Sequence, residues 1–167
     1  MITWYCTRKL IRSLEVEAAE PRGPGTTTLG DWHANIISTR AGDLFAFSND
    51  RTLVSVAIPV SHRAQIESLF VARVRNLLMM LDAPQHAIEL ETNDILPVVY
   101  ARATDQRQLG YLRDIAFEYQ YLAENRDGGT AFSLSDVELH LANMPHHSGF
   151  DGFPADKVAT LFNSGWN

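Results

Sequence analysis

A chain of 167 residues, 46% hydrophobic and 20% charged, has the composition of a folded globular protein, long enough to bury a continuous core without staples. Its formal charge of −6, from 14 basic and 20 acidic residues, works against broad binding to phosphate backbones, which depends on basic patches that release counterions. A lone cysteine, Cys6, excludes an intrachain disulfide framework, and the longest apolar run, 77–81, is far short of the roughly 20 residues of a membrane span. Residues 1–20 contain no apolar signal segment, so the expected setting is the cytoplasm.

Ile2–Cys6 is rich in β-branched and aromatic residues and reads as a strand. Thr7 is the expected cap of a helix to about Leu14, with Leu10, Ile11 and Leu14 as its apolar stripe. Residues 17–30 hold Pro21, Gly23, Pro24, Gly25 and three threonines, and are expected to form a flexible loop within a single domain spanning 1–167. Trp32–Thr39 alternates as a half-buried strand does, and the runs 44–47 and 52–58 follow across short turns. Turns of that length force antiparallel neighbours, so 31–59 is a predicted β-meander. Ser61 is the expected cap of the strongest helix, in which Ile66, Phe70, Val74, Leu77 and Leu78 share one face before Pro84. A short helical turn near His86 precedes a fourth run, 95–103, which Pro97 marks as an edge strand or a bulge. A long helix over about 105–124 turns Leu112, Ile115, Ala116, Tyr119 and Leu122 inward, and short helices are expected at 135–143 and 156–162. The expected fold is α+β: a mainly antiparallel sheet of four or five strands packed by two long helices, with a small helical C-terminal region.

Five segments recur in a fixed order: Cys6-Thr7-x-Lys9-Leu10, Leu29-Gly30-Asp31-Trp32-His33-Ala34-Asn35, Phe47-Ser48-Asn49-x-x-Thr52, Thr104-x-x-Arg107-x-Leu109-Gly110 and Phe153-Pro154-Ala155. In that order and spacing the chain is similar, over nearly its whole length, to a bacterial family of small proteins catalogued as a domain of unknown function. The resemblance implies no activity, cofactor or substrate. It does put Trp32, Asn35, Asn49, Thr52, Arg107 and Gly110 at signature positions, while the Pro/Gly/Thr loop and the histidine-rich tail depart from the pattern. Each signature residue also suits a structural task. Asn49 fits an Asx turn, Trp32 fills a core, and Gly110 would let its helix approach the sheet closely. Arg107 could clamp a carboxylate or a phosphate, although a cation in a first helical turn is opposed by the macrodipole.

Trp32, His33, Asn35 and Arg107 are therefore the candidate ligand-binding residues. The densest titratable cluster is His140, His146, His147 and Asp151, residue types that suit a divalent metal, yet their spacing matches no established ligand template. Cys6 precedes a helix with Arg8 and Lys9 in its first turn, which favours a thiolate, whereas a lone cysteine ending a strand is more often a small buried hydrophobe. Asp31 and His33 share a strand face, but no nucleophile elbow, dinucleotide fingerprint or P-loop is present. Phe117 and Tyr121 lie one helical turn apart off the core stripe, and Met79 and Met80 broaden the preceding long helix. Such faces are buried on two sides or used for association. Two functions are expected. One is a non-enzymatic binding or interaction module, working with a protein partner or as a homo-oligomer and needing no cofactor. The other is a small hydrolase-type enzyme on the His140–Asp151 cluster, with or without a divalent metal. Nucleic acid and membrane are not expected partners.

Overall fold

The computed structural model describes residues 1–124, 133–145 and 152–163. Its strands are β1 (Ile2–Cys6), β2 (Trp32–Thr39), β3 (Gly42–Asn49), β4 (Ser55–Pro59) and β5 (Val98–Arg102), in the spatial order β4-β3-β2-β1-β5. The helices are α1 (Arg8–Leu14), α2 (Ile66–Met80), α3 (Gln85–Asn93), α4 (Gln106–Glu124), α5 (Leu134–Ala142) and α6 (Pro154–Asn163). None of the described helices is long and apolar enough to cross a membrane.

The fold is α+β, and the meander is antiparallel as its short turns require: Ile37 pairs with Leu44, and Phe47 with Val56. The sheet as a whole is mixed, because β1 runs parallel to both neighbours, with Trp4 opposite Trp32 on one side and Tyr100 on the other. The expected mainly antiparallel arrangement thus holds for β2–β3–β4 and not for β1 and β5. Long connections through α1 and through α2–α3 bring the chain back in the same direction, which a short turn cannot do. Strand β2 is covered on both faces rather than half-buried. One face packs Trp4, Trp32 and Phe47 around Phe70 of α2, with ring centroids 4.8–5.1 Å from the Phe70 ring. The other sets Ile37, Ala46 and Ala57 against Tyr111, Leu112, Ile115 and Tyr119 of α4 and Val137 and Leu141 of α5.

Local chemistry decides where the elements start and stop. The Thr7 hydroxyl accepts the Leu10 N–H at 3.4 Å, and Glu15, in the left-handed region at φ 57°, ends α1. Ser133 and Asp136 form a capping box on α5. Ser61 does not cap α2. Residues 60–65 form a 3₁₀ turn first, and neither it nor α2 has a side-chain cap. Both sheet edges are occupied. The outward N–H of Ala57 on β4 donates to Glu138 Oε1 at 2.9 Å, and the outward carbonyl of Tyr100 on β5 accepts the Ala19 N–H at 2.7 Å. Within the Pro/Gly/Thr segment, the buried Glu91 carboxylate accepts the N–H of Thr28 at 2.7 Å and of Leu29 at 3.2 Å. Arg51 donates to the Thr28 carbonyl at 2.8 Å, so this part of the loop is anchored to α3 and to the β3–β4 turn.

Candidate functional site

Strands β1 and β5 lie side by side and point the same way, yet the chain leaves them on opposite faces. From β1 it enters α1, whose Leu10 belongs to the core under α2; from β5 it enters α4 on the other face. Adjacent parallel strands that diverge in this way leave a crevice at their carboxyl ends, the usual ligand position in open α/β sheets. A cleft of about 470 Å³ opens there on the α4 side of the sheet. Tyr5 and Ala101, paired across β1 and β5, line it together with Ala18, Ala19, Glu20, Pro21, Arg102 and Thr104, and the Ala19 N–H on the Tyr100 carbonyl lays residues 18–21 along the β5 edge.

Tyr5 rests on a polar stack. The Tyr5 ring lies 5.0 Å from the His33 ring at 23°, and His33 is only 4% exposed. His33 Nε2 is 3.4 Å from Asp50 Oδ1, which also accepts Gln108 Nε2 at 3.0 Å. His33 Nδ1, Ser48 Oγ and Gln108 Oε1 are buried without a protein hydrogen bond. The hydrogen bond from His33 holds the Asp50 carboxyl below its ordinary value against the opposing effect of burial. The Tyr5 hydroxyl is pushed up, first by burial and then by the negative charges of Asp31 and Asp50.

The four candidate ligand-binding residues do not converge. His33 and Asn35 lie on the cleft's face of the sheet. Asn35 Oδ1 is occupied by the Thr7 hydroxyl and the Ile36 N–H, both at 2.8 Å. Trp32 points to the opposite face, edge-on to Phe70 at 5.1 Å. Arg107 is exposed in the first turn of α4, and the donors of that turn are already used, since Asp105 Oδ1 accepts the N–H of Arg107 at 2.8 Å and of Gln108 at 3.3 Å. Of the candidate metal ligands, His140 is exposed at the end of α5, while His146, His147 and Asp151 lie outside the described residues. Among the described residues no group of three or more His, Cys, Asp or Glu side chains is placed to hold a metal.

The buried Cys6 settles on the side of the hydrophobe. Burial pushes its thiol up to about 12, and its S–H faces the Trp4 carbonyl at 3.3 Å. Arg8 and Lys9 are both exposed and do not offset that burial. Gly110 also departs from expectation, because a Cβ there would meet nothing within 4 Å. Its helix therefore does not approach the sheet closely at that point. Phe117 and Tyr121 are 67% and 64% exposed on the outer side of the same helix.

Sequence reasoning missed Tyr5, Asp50, Gln108 and Arg102. The alternation of Ile2–Cys6 signals that Tyr5 and Trp4 face opposite ways, but the strand that becomes its neighbour is nearly 100 residues away in the chain. No curated protein and no solved structure matches the chain. The model of the family described as Domain of unknown function (DUF6933) matches residues 3–157, and the chain belongs to that family.

Proposed function

We propose that the protein is a non-enzymatic binding module whose ligand enters the cleft at the carboxyl ends of β1 and β5. The observation that carries this reading is the departure of α1 and α4 to opposite faces, which opens a concave site of ligand size beside the sheet. The groups beside Tyr5 suit support more than reaction. His33 and Ser48 are buried, and the Tyr5 ring lies against His33, so a Ser–His–Asp set here has no access to a substrate.

Thermal unfolding with a library of small metabolites tests the proposal. Thr104 is exposed and lines the cleft, so Thr104→Trp fills the space from a position that does not support the core. Compounds that raise the melting temperature of the wild type should lose that effect in Thr104→Trp. Binding that survives the substitution would place the ligand elsewhere.

A second reading, self-association through α4, is favoured by the exposure of Phe117 and Tyr121 one helical turn apart. Gly110, Asp114, Phe117 and Tyr121 fall on one stripe of the helix. A second copy laid antiparallel about a point between Asp114 and Phe117 would seat Tyr121 over the open notch at Gly110.

A further inference from the structure

The two edges of the sheet are closed in different ways. At β4 the outward Ala57 N–H meets the buried carboxylate of Glu138 from α5. At β5 the closure is a single hydrogen bond. Parallel pairing with β1, continued by the Ala103 N–H on the Cys6 carbonyl at 3.0 Å, turns the N–H and carbonyl groups of Val98, Tyr100 and Arg102 outward. Of these, the Tyr100 carbonyl alone has a partner among the described residues, the Ala19 N–H at 2.7 Å. That bond is also the only hydrogen bond of residues 17–24 among the described residues, and every residue of that segment is exposed. A row of outward backbone groups under so light a cover is a template for another strand.

The same edge has room for side chains on both faces. Consecutive residues of a strand face opposite ways, and here Tyr100 and Ala101 each border a hollow. Tyr100 donates to Glu67 Oε1 of α2 at 2.7 Å and lines a hollow of about 430 Å³ with Leu14, Val16 and Leu96. Ala101 lines the cleft of about 470 Å³ on the α4 side. Alternate side chains of an added strand would enter these two hollows while its backbone bonds the edge between them. Strand addition gains affinity from the backbone bonds and selectivity from such hollows. The chain's own segment shows what fits: with Ala19 on the Tyr100 carbonyl, Val16 borders the first hollow and Ala18 and Pro21 the second. The side chain at the bonded residue and the one before it are small, and one hydrogen bond is little for a competing strand to displace.

On the reading that the cleft is a binding site, we propose that its ligand is an extended peptide segment with small side chains, which adds to β5 in place of residues 17–21. Fluorescence anisotropy of the full chain with a labelled peptide copying Glu15–Arg22 tests it, beside the same peptide N-methylated at the alanine that corresponds to Ala19. Ala19→Pro removes the N–H that holds the resident segment, at an exposed position, and an unchanged melting temperature checks that the fold is kept. This variant should bind the peptide roughly three- to tenfold more tightly than the wild type, the weight of one hydrogen bond. The N-methylated peptide should bind about tenfold more weakly than its parent. Thr104→Trp should weaken binding of the parent peptide, because Thr104 lines the cleft. Equal binding of the two peptides, or equal binding by wild type and Ala19→Pro, overturns strand addition at this edge. Dimerisation of Ala19→Pro in sedimentation velocity, with no peptide bound, overturns it in favour of a second copy. If metabolites bind in a Thr104→Trp-sensitive way while neither protein binds the peptide, the peptide assignment falls and the cleft remains a site. If neither the peptides nor the metabolite library binds, both proposals fall.

Discussion

At the scale of single residues, Asn49 carries more structure than any other polar side chain in the sheet. It is fully buried. Its Oδ1 accepts the N–H of Arg51 at 3.2 Å, the N–H of Thr52 at 2.9 Å and the Thr52 hydroxyl at 2.8 Å. Its Nδ2 donates to the carbonyls of Leu29 at 2.9 Å and Asp31 at 3.1 Å, tying the incoming loop to the turn. The next residues need that support, because Leu53 has φ of 65°, a conformation that costs a non-glycine residue about 1–3 kcal/mol. The Tyr111 hydroxyl holds Leu53 from the other side, donating to its carbonyl at 2.7 Å. Asn49→Ala removes all five bonds and takes their side-chain partner from the buried Leu29 carbonyl and the buried Thr52 N–H, while the Asp31 carbonyl keeps the Asp50 N–H. It should destabilise the protein by about 2–4 kcal/mol, read from urea unfolding. A loss below about 0.5 kcal/mol would show that the turn holds without the side chain. The Asx turn itself was legible in the sequence, because Asn in a short polar turn has that local chemistry. The bonds to Leu29 and Asp31 were not, since they cross 18–20 residues of chain.

At the scale of elements, α4 has two faces with different fates. Tyr111, Leu112, Ile115 and Tyr119 are buried against the sheet, and the 3.6-residue period of the sequence puts Leu112, Ile115 and Tyr119 there without further information. Its outer face is less easily read. Gly110 would cost about 1 kcal/mol against alanine in a helix interior, and within this chain no close contact offsets that cost. If α4 pairs with a second copy over Gly110, Phe117 and Tyr121, two variants respond in opposite ways. Gly110→Ala should raise the stability of the monomer by about 1 kcal/mol while weakening self-association, and Phe117→Ser should weaken association with little effect on stability. Sedimentation velocity over a range of concentrations reads association, and chemical unfolding at low concentration reads stability. A wild type that sediments as a monomer at every concentration sinks the pairing. The cap of α2 is the contrasting case: Ser61 has the right residue type in the right place, and the 3₁₀ turn that intervenes is a choice of backbone path that propensity does not reveal.

At the scale of the whole molecule, the two helical layers meet around the β4 edge through Glu138. Its side chain, from α5, receives the Ala57 N–H at 2.9 Å and Arg73 Nε of α2 at 3.1 Å; Arg73 Nη2 is 2.6 Å from Oε2 but not aligned as a hydrogen bond. Burial outweighs the attraction of Arg73 and pushes the carboxyl up to about 7. The sign of the pH effect follows. Between the unfolded value of 4.5 and about 7 the native state holds a proton that the unfolded chain has released. Stability from this group is therefore fully present below 4.5, falls as pH rises and is lost above about 7. Asp50 works the other way, since its lowered value gives stability that is present at neutral pH and lost on acidification through its native pKa. Unfolding free energies of the wild type should thus decline from pH 5 to pH 8 relative to Glu138→Gln, by an amount on the order of a few kcal/mol. Parallel pH profiles for the two proteins would show that Glu138 is ionised throughout.

The sequence by itself determined the α+β class, the antiparallel meander, the inward faces of the long helices and the place in a family marked by Trp32, Asn35, Asn49, Thr52, Arg107 and Gly110. These rest on interactions between near neighbours: periodicities of 2 and 3.6, short turns, and residue types at fixed spacing. Only the tertiary structure decided that β1 lies between two parallel strands, that both faces of β2 are buried, and that Glu20, Tyr5 and Arg102 line one cleft. The physical reason is the same in each case. Parallel pairing is made through long crossovers, whose closure cost rises slowly with length, so the local chain carries almost no record of which strand its neighbour will be. The cleft exists because two such crossovers leave adjacent strands on opposite faces, and that is a property of the assembled sheet.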